Sequence, residues 1–450
     1  MKLVKSLLLG SAAGIAAVAG AQAADLPSRK AAPVEYVRVC TAYGAGFFYI
    51  PGTDTCLRVG GRVRAEYTFG ERWSRAQDSY GTRARGRIYI DARTATAYGT
   101  LRTFVRYDVT TQSGGYNYGG PNAGTNRFNS ATGGVSDSGL FLDKAFVQFG
   151  PITAGKAQSF FDFYANDFGF SVVRTSDRYP NLLAYTATFG SGFSATISLE
   201  DGLTTGRRPF AAVAPFSAAY EGQTYPDVVA SLRVDQGWGS AQLSGAVGNR
   251  GTFNVLNGAS NDDVGYAIQG GVKINLPMLA AGDTLFLQAG YADAAIEYLG
   301  WNGSGNSGFG RVATFSPNNA YVDPISGQVD TATAWNVVAA FRHFWMPTLR
   351  SDFIGSYSEV KAVGTGVIGA TVAGAPIFGA AKLDPKELIV GANLVWMPVS
   401  GLDIGVEVLY SRMEFKNRIQ DAKQAFLGGP IRTIKSDDAF TGRLRIQRDF

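Results

Sequence analysis

The segment LRVGGRVRAEYTF at residues 57–69 alternates between two kinds of side chain along its whole length. One parity carries Leu57, Val59, Gly61, Val63, Ala65, Tyr67 and Phe69, and the other carries Arg58, Gly60, Arg62, Arg64, Glu66 and Thr68. A period of two predicts a β-strand and not a helix. Strands of soluble sheets average about 5–6 residues. A longer strand with one apolar face is typical of a strand that crosses a membrane at a tilt.

The same alternation recurs through the rest of the chain, for example at 82–93, 264–276 and 402–411. About sixteen such segments, each about 9 to 13 residues long, can be placed between Leu57 and the C-terminus. The last one begins near Ala439. Short and long connections alternate between them, which is typical of barrels with short periplasmic turns and long external loops. The sequence therefore predicts an all-β fold, a 16-stranded antiparallel up-and-down transmembrane β-barrel.

Composition excludes the main alternatives to a barrel. Only 17% of the residues are charged, below the roughly 25% of soluble domains. Beyond the N-terminus the chain has no stretch of the roughly 20 apolar residues that a membrane helix needs. Aromatic residues make up 12% of the chain, whereas disordered chains contain few of them.

The N-terminus has the features of a secretory signal peptide. Lys2 and Lys5 precede an apolar run at 7–19, and Ala21-Gln22-Ala23 follows as a cleavage site between small residues. We expect a signal peptide over 1–23 and a barrel chain over 24–450. The alternative, a membrane anchor, is disfavoured because the apolar run is short. The formal net charge of +5 is too small to indicate nucleic-acid binding.

Two cysteines, Cys40 and Cys56, lie in the segment 24–56. An even number of cysteines in an exported chain predicts a disulfide between them. The alternative of a metal site would need more ligands, and the chain has one histidine, His343. We therefore predict no metal and no cofactor. The carboxylate pairs Asp262-Asp263 and Asp437-Asp438 fall in predicted loops and are interpreted as surface charge, with bound external calcium as the alternative.

Arginine is concentrated on the polar parity of the first three predicted strands. The nine residues are Arg58, Arg62, Arg64, Arg83, Arg85, Arg87, Arg93, Arg102 and Arg106. An arginine on the lipid face at the membrane midplane costs about 2–4 kcal/mol, so these side chains are expected to face the lumen and form a basic wall of the pore. The alternative is that some lie at the rim, where lipopolysaccharide phosphates would bind them.

The third long loop, 160–181, combines acidic and aromatic residues. Its acids are Asp162, Asp167 and Asp177, and its rings include five phenylalanines. An exposed loop so rich in aromatic side chains is unfavourable in water. We expect it to fold into the barrel, bury its rings on the wall and present its carboxylates to the arginines. The alternative is an external lid with solvated acids.

Signals of enzymatic function are weak. The segment GPITAGKA at 150–157 approaches a phosphate-binding loop, but it lacks the final Ser or Thr and no helical pattern follows. No catalytic residues are predicted.

Aromatic residues on the polar parity, such as Tyr89 and Phe104, are too scattered in the sequence to indicate a continuous track along the lumen.

The C-terminus and three segments give the chain a family resemblance. The chain ends on Phe450 within an alternating strand, as barrel-closing strands of outer-membrane proteins do. The segments at 24–37, 37–67 and 442–450, together with SFFDFYANDFGFS at 159–171, resemble the alphaproteobacterial general porins. Arg448 stands where many other outer-membrane proteins have a hydrophobic residue.

The resemblance implies a fold and a function. It implies a sixteen-stranded barrel in the bacterial outer membrane, a homotrimer surrounded by lipid and lipopolysaccharide. It also implies passive diffusion of small hydrophilic solutes and ions, with no covalent chemistry. The alternative is a substrate-selective channel for sugars or anionic nutrients.

Overall fold

The structure is a computed structural model. It describes residues 38–70, 79–114, 136–204, 207, 219–254, 257–261, 264–301, 317, 319–323, 325–372, 375–420 and 432–450. The predicted signal peptide, residues 1–23, and the following residues up to 37 lie outside these ranges.

The chain divides into two compact units, Met1–Cys56 and Leu57–Phe450. In the first unit, Cys40 and Cys56 form a disulfide with a Cα–Cα distance of 5.9 Å, which confirms the predicted pairing. Both cysteines are buried in one cluster with Phe47. A short strand, Phe48–Tyr49, forms a bridge to Val39, and the Arg38 guanidinium lies 4.7 Å from the centre of the Tyr49 ring. The segment is a small disulfide-bonded fold.

The second unit is built on sixteen strands in one sheet, most of them ten residues or longer. They are β1 (Cys56–Gly70), β2 (Tyr80–Thr96), β3 (Gly99–Gly114), β4 (Ser136–Phe149), β5 (Ile152–Lys156), β6 (Asn181–Gly190), β7 (Phe193–Glu200), β8 (Asp227–Gln236), β9 (Gly239–Asn249), β10 (Val264–Asn275), β11 (Thr284–Asp293), β12 (Thr333–Met346), β13 (Leu349–Lys361), β14 (Lys386–Val399), β15 (Leu402–Gln420) and β16 (Thr433–Asp449). The alternating pattern predicted all sixteen. The first begins within one residue of the expected Leu57, and β16 begins six residues before the expected Ala439.

The sheet closes on itself. Each strand pairs antiparallel with its neighbour along the chain, and β16 pairs antiparallel with β1, from Arg62 opposite Asp449 to Gly70 opposite Thr441. Phe450 extends this seam, because its amide and carbonyl exchange hydrogen bonds of 3.0 and 2.9 Å with Gly61. The structure is therefore the predicted closed barrel, in which each of the sixteen strands pairs with the strand on either side of it.

Burial in the barrel is the reverse of that in a soluble protein. In β1 the polar residues Glu66 and Thr68 are buried, whereas Val63 and Phe69 are more than half exposed. Large apolar side chains are likewise exposed on one parity of the other long strands. This arrangement places an apolar face toward lipid and a polar face toward the lumen.

Several short elements lie in the long connections. They are Ala219–Tyr220, Thr252–Phe253, Ser260–Asn261, Ala320–Val322, Val329–Thr331, the hairpin of Val363–Val372 with Ala375–Lys382, and a 3-10 helix at Ile296–Leu299. Alternation did not indicate them, because most are too short for a period to be visible. No helix in the described ranges is long and apolar enough to span a membrane.

The apolar core lies inside the barrel, where a loop packs on the inner wall. Residues 157–180, between β5 and β6, fold inward. Phe161 packs with Tyr298 and Trp301, and Phe163, Tyr164 and Phe168 pack with Phe286 of β11. The sequence predicted an inward-folded constriction loop over 160–181, and the structure places residues 157–180 against the inner wall of the barrel.

Candidate functional site

The lumen contains a cavity of about 1030 Å³ lined mainly by polar side chains. Its lining comes from β1 to β4, from β12, β13, β15 and β16, and from the inward-folded loop. Charged side chains on this lining are Arg62, Arg64, Arg83, Arg85, Arg87, Arg106, Lys144, Arg342, Arg350, Arg443, Arg445, Asp108, Asp143, Asp167, Asp177, Asp352, Asp403 and Asp449.

Six of the nine predicted wall arginines line this cavity. They are Arg62, Arg64, Arg83, Arg85, Arg87 and Arg106. Alternation brings them together because each occupies the lumen parity of β1, β2 or β3, and neighbouring strands lie about 4.8 Å apart.

Five of these arginines are paired with acids, whereas Arg64 donates to the side-chain oxygen of Gln447 at 2.8 and 3.0 Å. Arg87 donates to both oxygens of Asp108, at 2.7 and 2.8 Å, and Arg83 donates to Glu66. Arg106 is paired with Asp143, which also lies 3.7 Å from Arg87. The wall is therefore a network of ion pairs across adjacent strands and not a surface of positive charge alone.

The other three arginines lie toward the short-turn end of the strands and are not part of the cavity lining. Arg93 and Arg102 share one carboxylate, Asp91, at 2.7 and 2.9 Å. The Arg58 guanidinium lies 5.8 Å from the centre of the Tyr89 ring.

Sequence reasoning missed four arginines of the cavity and the acids that pair with the wall. Arg443 and Arg445 of β16 reach the cavity beside β1, and Arg342 and Arg350 come from β12 and β13. Their position on the lumen parity was a usable signal. What brings β16 beside β1 is the closure of the sheet, which no local pattern reports.

Two of the three loop acids face the cavity. Asp167 and Asp177 are on its lining, whereas Asp162 is not. Asp162 accepts from the backbone N–H of Arg178 at 2.8 Å and lies 3.7 Å from the buried Arg207 guanidinium. The structure thus separates Asp162 from the other two.

Burial raises the pKa of the two loop acids on the cavity lining, Asp167 and Asp177. Desolvation, reinforced by the neighbouring Asp162 carboxylate, raises the pKa of Asp177 to about 6. Burial also raises the pKa of Asp167 above its usual value. Asp177 consequently titrates close to neutral pH.

Direct contacts join the loop to the arginine-rich wall. Lys144 of β4 donates to Gln158 at 3.3 Å, and Gln158 donates to Asp162 and, at 3.4 Å, to Asp177. The Lys144 ammonium lies 4.7 Å from the centre of the Tyr179 ring. The loop and the wall therefore bound the same cavity.

Neutral side chains of the inner wall hold the loop by its backbone. Gln242 donates to the carbonyls of Phe160 and Asp162, at 3.2 and 3.1 Å. Gln269 donates to the Phe161 carbonyl at 3.1 Å. Sequence reasoning missed these residues, because a glutamine on a polar parity gives no sign of what it binds.

The same pattern continues along β11 to β13. Gln288 accepts from the Tyr164 amide at 2.9 Å, and Asn336 donates to the Arg174 carbonyl at 2.9 Å. Ser356 accepts from the Arg174 amide at 3.0 Å. Successive strands thus hold successive parts of the loop.

Charged groups fix the far end of the loop. The buried Arg174 donates to both oxygens of the buried Glu387, at 2.5 and 2.7 Å. Glu407 accepts from the amides of Phe170 and Ser171, and Arg445 donates to the Phe170 carbonyl at 2.9 Å. The loop therefore crosses the lumen to β15 and β16.

Aromatic side chains that are far apart in the sequence form a row on the lumen parity of β2 to β4. The Tyr89 and Phe104 rings are 6.0 Å apart between centres, with planes 20° apart. The Phe104 and Phe146 rings are 5.3 Å apart, with planes 21° apart. The expectation that such residues are scattered is wrong, because the strand register brings them side by side.

Metal-binding groups do not cluster in the part of the chain that the structure describes. No set of three or more His, Cys, Asp or Glu side chains there could hold an ion. The imidazole of His343 instead lies 2.6 Å from Asp283 and packs on Trp345.

The barrel, its inward-folded loop and its charged lumen match known outer-membrane channels. The sequence profile of the family described as a porin subfamily matches residues 25–440. The chain belongs to this porin family of outer-membrane β-barrels.

Individual relatives agree with this assignment. The chain is 33% identical to porin Omp2b of Brucella neotomae over 361 residues, which covers 75% of this chain and 90% of that one. It is 37% identical to porin Omp2b of Brucella canis over 251 residues, covering 53% of this chain and 64% of that one. Among solved structures, the outer membrane channel DcaP of Acinetobacter baumannii aligns with a TM-score of 0.58 at 14% identity, covering 89% of this chain and 99% of that one. At this low sequence identity, the alignment with DcaP shows a shared fold.

Proposed function

We propose that this protein is a passive diffusion channel of the bacterial outer membrane that passes small hydrophilic solutes and ions. The observation that carries the proposal is the cavity of about 1030 Å³ between the arginine-rich wall and the inward-folded loop. A cavity with charged walls holds water and excludes apolar solutes, and charged constrictions set the selectivity of pores. The channel acts by width and charge, without covalent chemistry.

The residues of the constriction have distinct roles in this proposal. The nine arginines form the basic side of the lumen, with six at the cavity and Arg58, Arg93 and Arg102 toward the periplasmic turns. Asp167 and Asp177 supply the opposing charge. Asp162 instead positions the loop through Arg178 and Arg207.

The balance of charge favours anions weakly. The cavity lining carries eleven basic and seven acidic side chains among the described residues. Most of the acids are paired with arginines, so the excess is spread over the wall. We infer a modest anion preference that falls with salt, because the Debye length shrinks from about 10 Å at 0.1 M to about 3 Å at 1 M.

Export and assembly complete the proposal. Residues 1–23 act as the signal peptide, and the mature chain forms a homotrimer in contact with lipopolysaccharide. Phe450 closes the barrel through its two backbone hydrogen bonds to Gly61.

Recordings in planar bilayers test this function. Purified protein should add conductance in discrete steps, and a KCl gradient should give a reversal potential of anionic sign that diminishes at 1 M salt. The absence of steps from protein that shows the far-UV signature of a folded barrel would contradict channel function.

A further inference from the structure

The row of aromatic rings has the features of a ligand subsite. Tyr89, Phe104 and Phe146 come from three adjacent strands, and all three are half-buried on the lumen parity. Centre-to-centre distances of 5.3 and 6.0 Å fit an offset arrangement and not full overlap of the rings. Part of each ring surface therefore remains uncovered.

A glycine lets the first ring of the row lie against the wall. A Cβ on Gly60 of β1 would stand 2.4 Å from Cζ of Tyr89. The Tyr89 ring thus lies over the backbone of β1, at a place where any larger residue would displace it. This close approach keeps the ring on the wall and out of the centre of the lumen.

Cationic groups border the row. Arg102 lies 5.2 Å from the Phe104 ring centre and 5.4 Å from that of Phe146, but its guanidinium is held by Asp91 and Gln148. Arg58 lies over Tyr89, is exposed, and has no carboxylate partner within the described ranges. Of the two described arginines that border the row, Arg58 is thus the one available to an incoming anion.

We propose that the row and Arg58 form a subsite for aromatic carboxylates in transit through the lumen. The planar ring of the solute stacks against Tyr89 and Phe104, and its carboxylate pairs with the Arg58 guanidinium. Stacking requires a π-face, and the charge requires an anion, so the subsite discriminates against aliphatic acids and neutral aromatics alike. This inference rests on the proposed channel function and names a solute class for it.

Single-channel recording with benzoate tests the subsite. Benzoate should interrupt the KCl current in a concentration-dependent way at concentrations where cyclohexanecarboxylate, acetate and benzamide do not. Equal interruption by cyclohexanecarboxylate would overturn the stacking role. Interruption by a disaccharide but not by benzoate would overturn the proposal in favour of a sugar subsite.

Variants separate the contribution of ring stacking to benzoate binding from that of charge pairing. Phe104→Leu should raise the half-blocking benzoate concentration about threefold to tenfold, the usual range of an aromatic pair. Arg58→Gln should raise it similarly while leaving the weak effect of benzamide unchanged. Phe189→Leu, at an exposed ring of β6, is the matched control and should match the wild type.

The outcomes separate the two proposals. If no conductance steps occur, the channel function fails. If steps occur normally but benzoate blocks no better than acetate, or Phe104→Leu stays within twofold of the wild type, the subsite fails while the channel function stands.

Discussion

Two sides of one lumen use the same alternation for different purposes. On the arginine side, formed by β1 to β4 with β16, ion pairs connect adjacent strands and leave a cavity open. On the amide side, formed by β9 to β13, Gln242, Gln269, Gln288 and Asn336 bind the loop backbone and fill the space. Burying a charged group is costly unless it is paired, whereas a neutral amide is satisfied by the backbone of a loop that packs against it. The wall with neutral side chains is therefore the one that the loop covers.

The largest expected effect concerns the ion pair beyond the amide side, Arg174 with Glu387. Arg174→Met leaves Glu387 buried without its cation, and removing one partner of a buried pair costs about 3–5 kcal/mol. We expect a lower unfolding temperature and a larger, noisier conductance, since the loop loses its far attachment. Thermal unfolding in detergent and bilayer recording measure the two effects.

An exposed pair provides the control. Arg412 and Glu414 form an ion pair on the outer surface of β15, and Arg412→Met should leave both measurements unchanged. Restored stability in Arg174→Met with Glu387→Leu would show that the unpaired charge was the cause. A wild-type unfolding temperature and conductance in Arg174→Met alone would mean that the position of the loop does not depend on this ion pair.

The next effect concerns the arginine side. Replacing Arg83, Arg85 and Arg87 with glutamine leaves Glu66 and Asp108 without their closest cations. The anion-to-cation permeability ratio should fall by about threefold, since one unit charge at 4 Å in water is worth about 1 kcal/mol before screening. The reversal potential in a KCl gradient measures it.

The matched control removes the same charge from outside the lumen. Lys361, Lys386 and Lys416 are exposed near the outer end of β13 to β15, and their triple glutamine variant should keep the wild-type reversal potential. Equal shifts of the reversal potential in both triple variants would show that the overall charge of the protein, and not the arginine-rich wall, sets ion selectivity.

A smaller effect distinguishes the loop acids. Asp167→Asn with Asp177→Asn should move the reversal potential toward anions, by roughly a twofold permeability change for partly screened charges. Asp162→Asn should leave selectivity near wild type and instead lower stability, because Asp162 holds Arg178 and Arg207. A selectivity shift from Asp162→Asn alone would break the distinction that the structure draws.

The smallest effect is the dependence of ion selectivity on pH. The pKa of Asp177 is about 6, so lowering the pH from 7.5 to 5 neutralises its carboxylate and makes the lumen more positive. Anion preference should therefore rise as the pH falls through 6. In Asp177→Asn, the change of reversal potential around pH 6 should be much smaller than in the wild type, because Asp167 is then the remaining loop acid with a raised pKa. A wild-type slope that survives this substitution would assign the titration to another group.

The sequence predicted the barrel better than the lumen. Period-two alternation in β1 or β10 is a local property, so strands could be located from the chain alone. The disulfide of Cys40 and Cys56 likewise followed from the even number of cysteines in an exported chain. The start of β16 was misplaced because its first residues, among them Asp437 and Asp438, carry charge on both parities.

Contacts within the lumen depend on register, which local patterns do not report. Tyr89 and Phe146 are 57 positions apart by residue number, yet Phe104 lies between their rings. The pairing of Arg62 with Asp449 requires barrel closure. The binding of loop carbonyls by Gln242 requires knowing where the loop folds, and an amide side chain gives no charge or periodicity that would reveal it.

The attachment of the loop through its main chain has an evolutionary consequence. Gln242 and Gln269 contact carbonyls that every residue possesses, so a substitution at Asp167 or Asp177 leaves these hydrogen bonds in place. The charge that the loop presents to the cavity can therefore change while the contacts that hold the loop persist. Single substitutions at these two positions can therefore alter the charge of the lumen without loss of the fold.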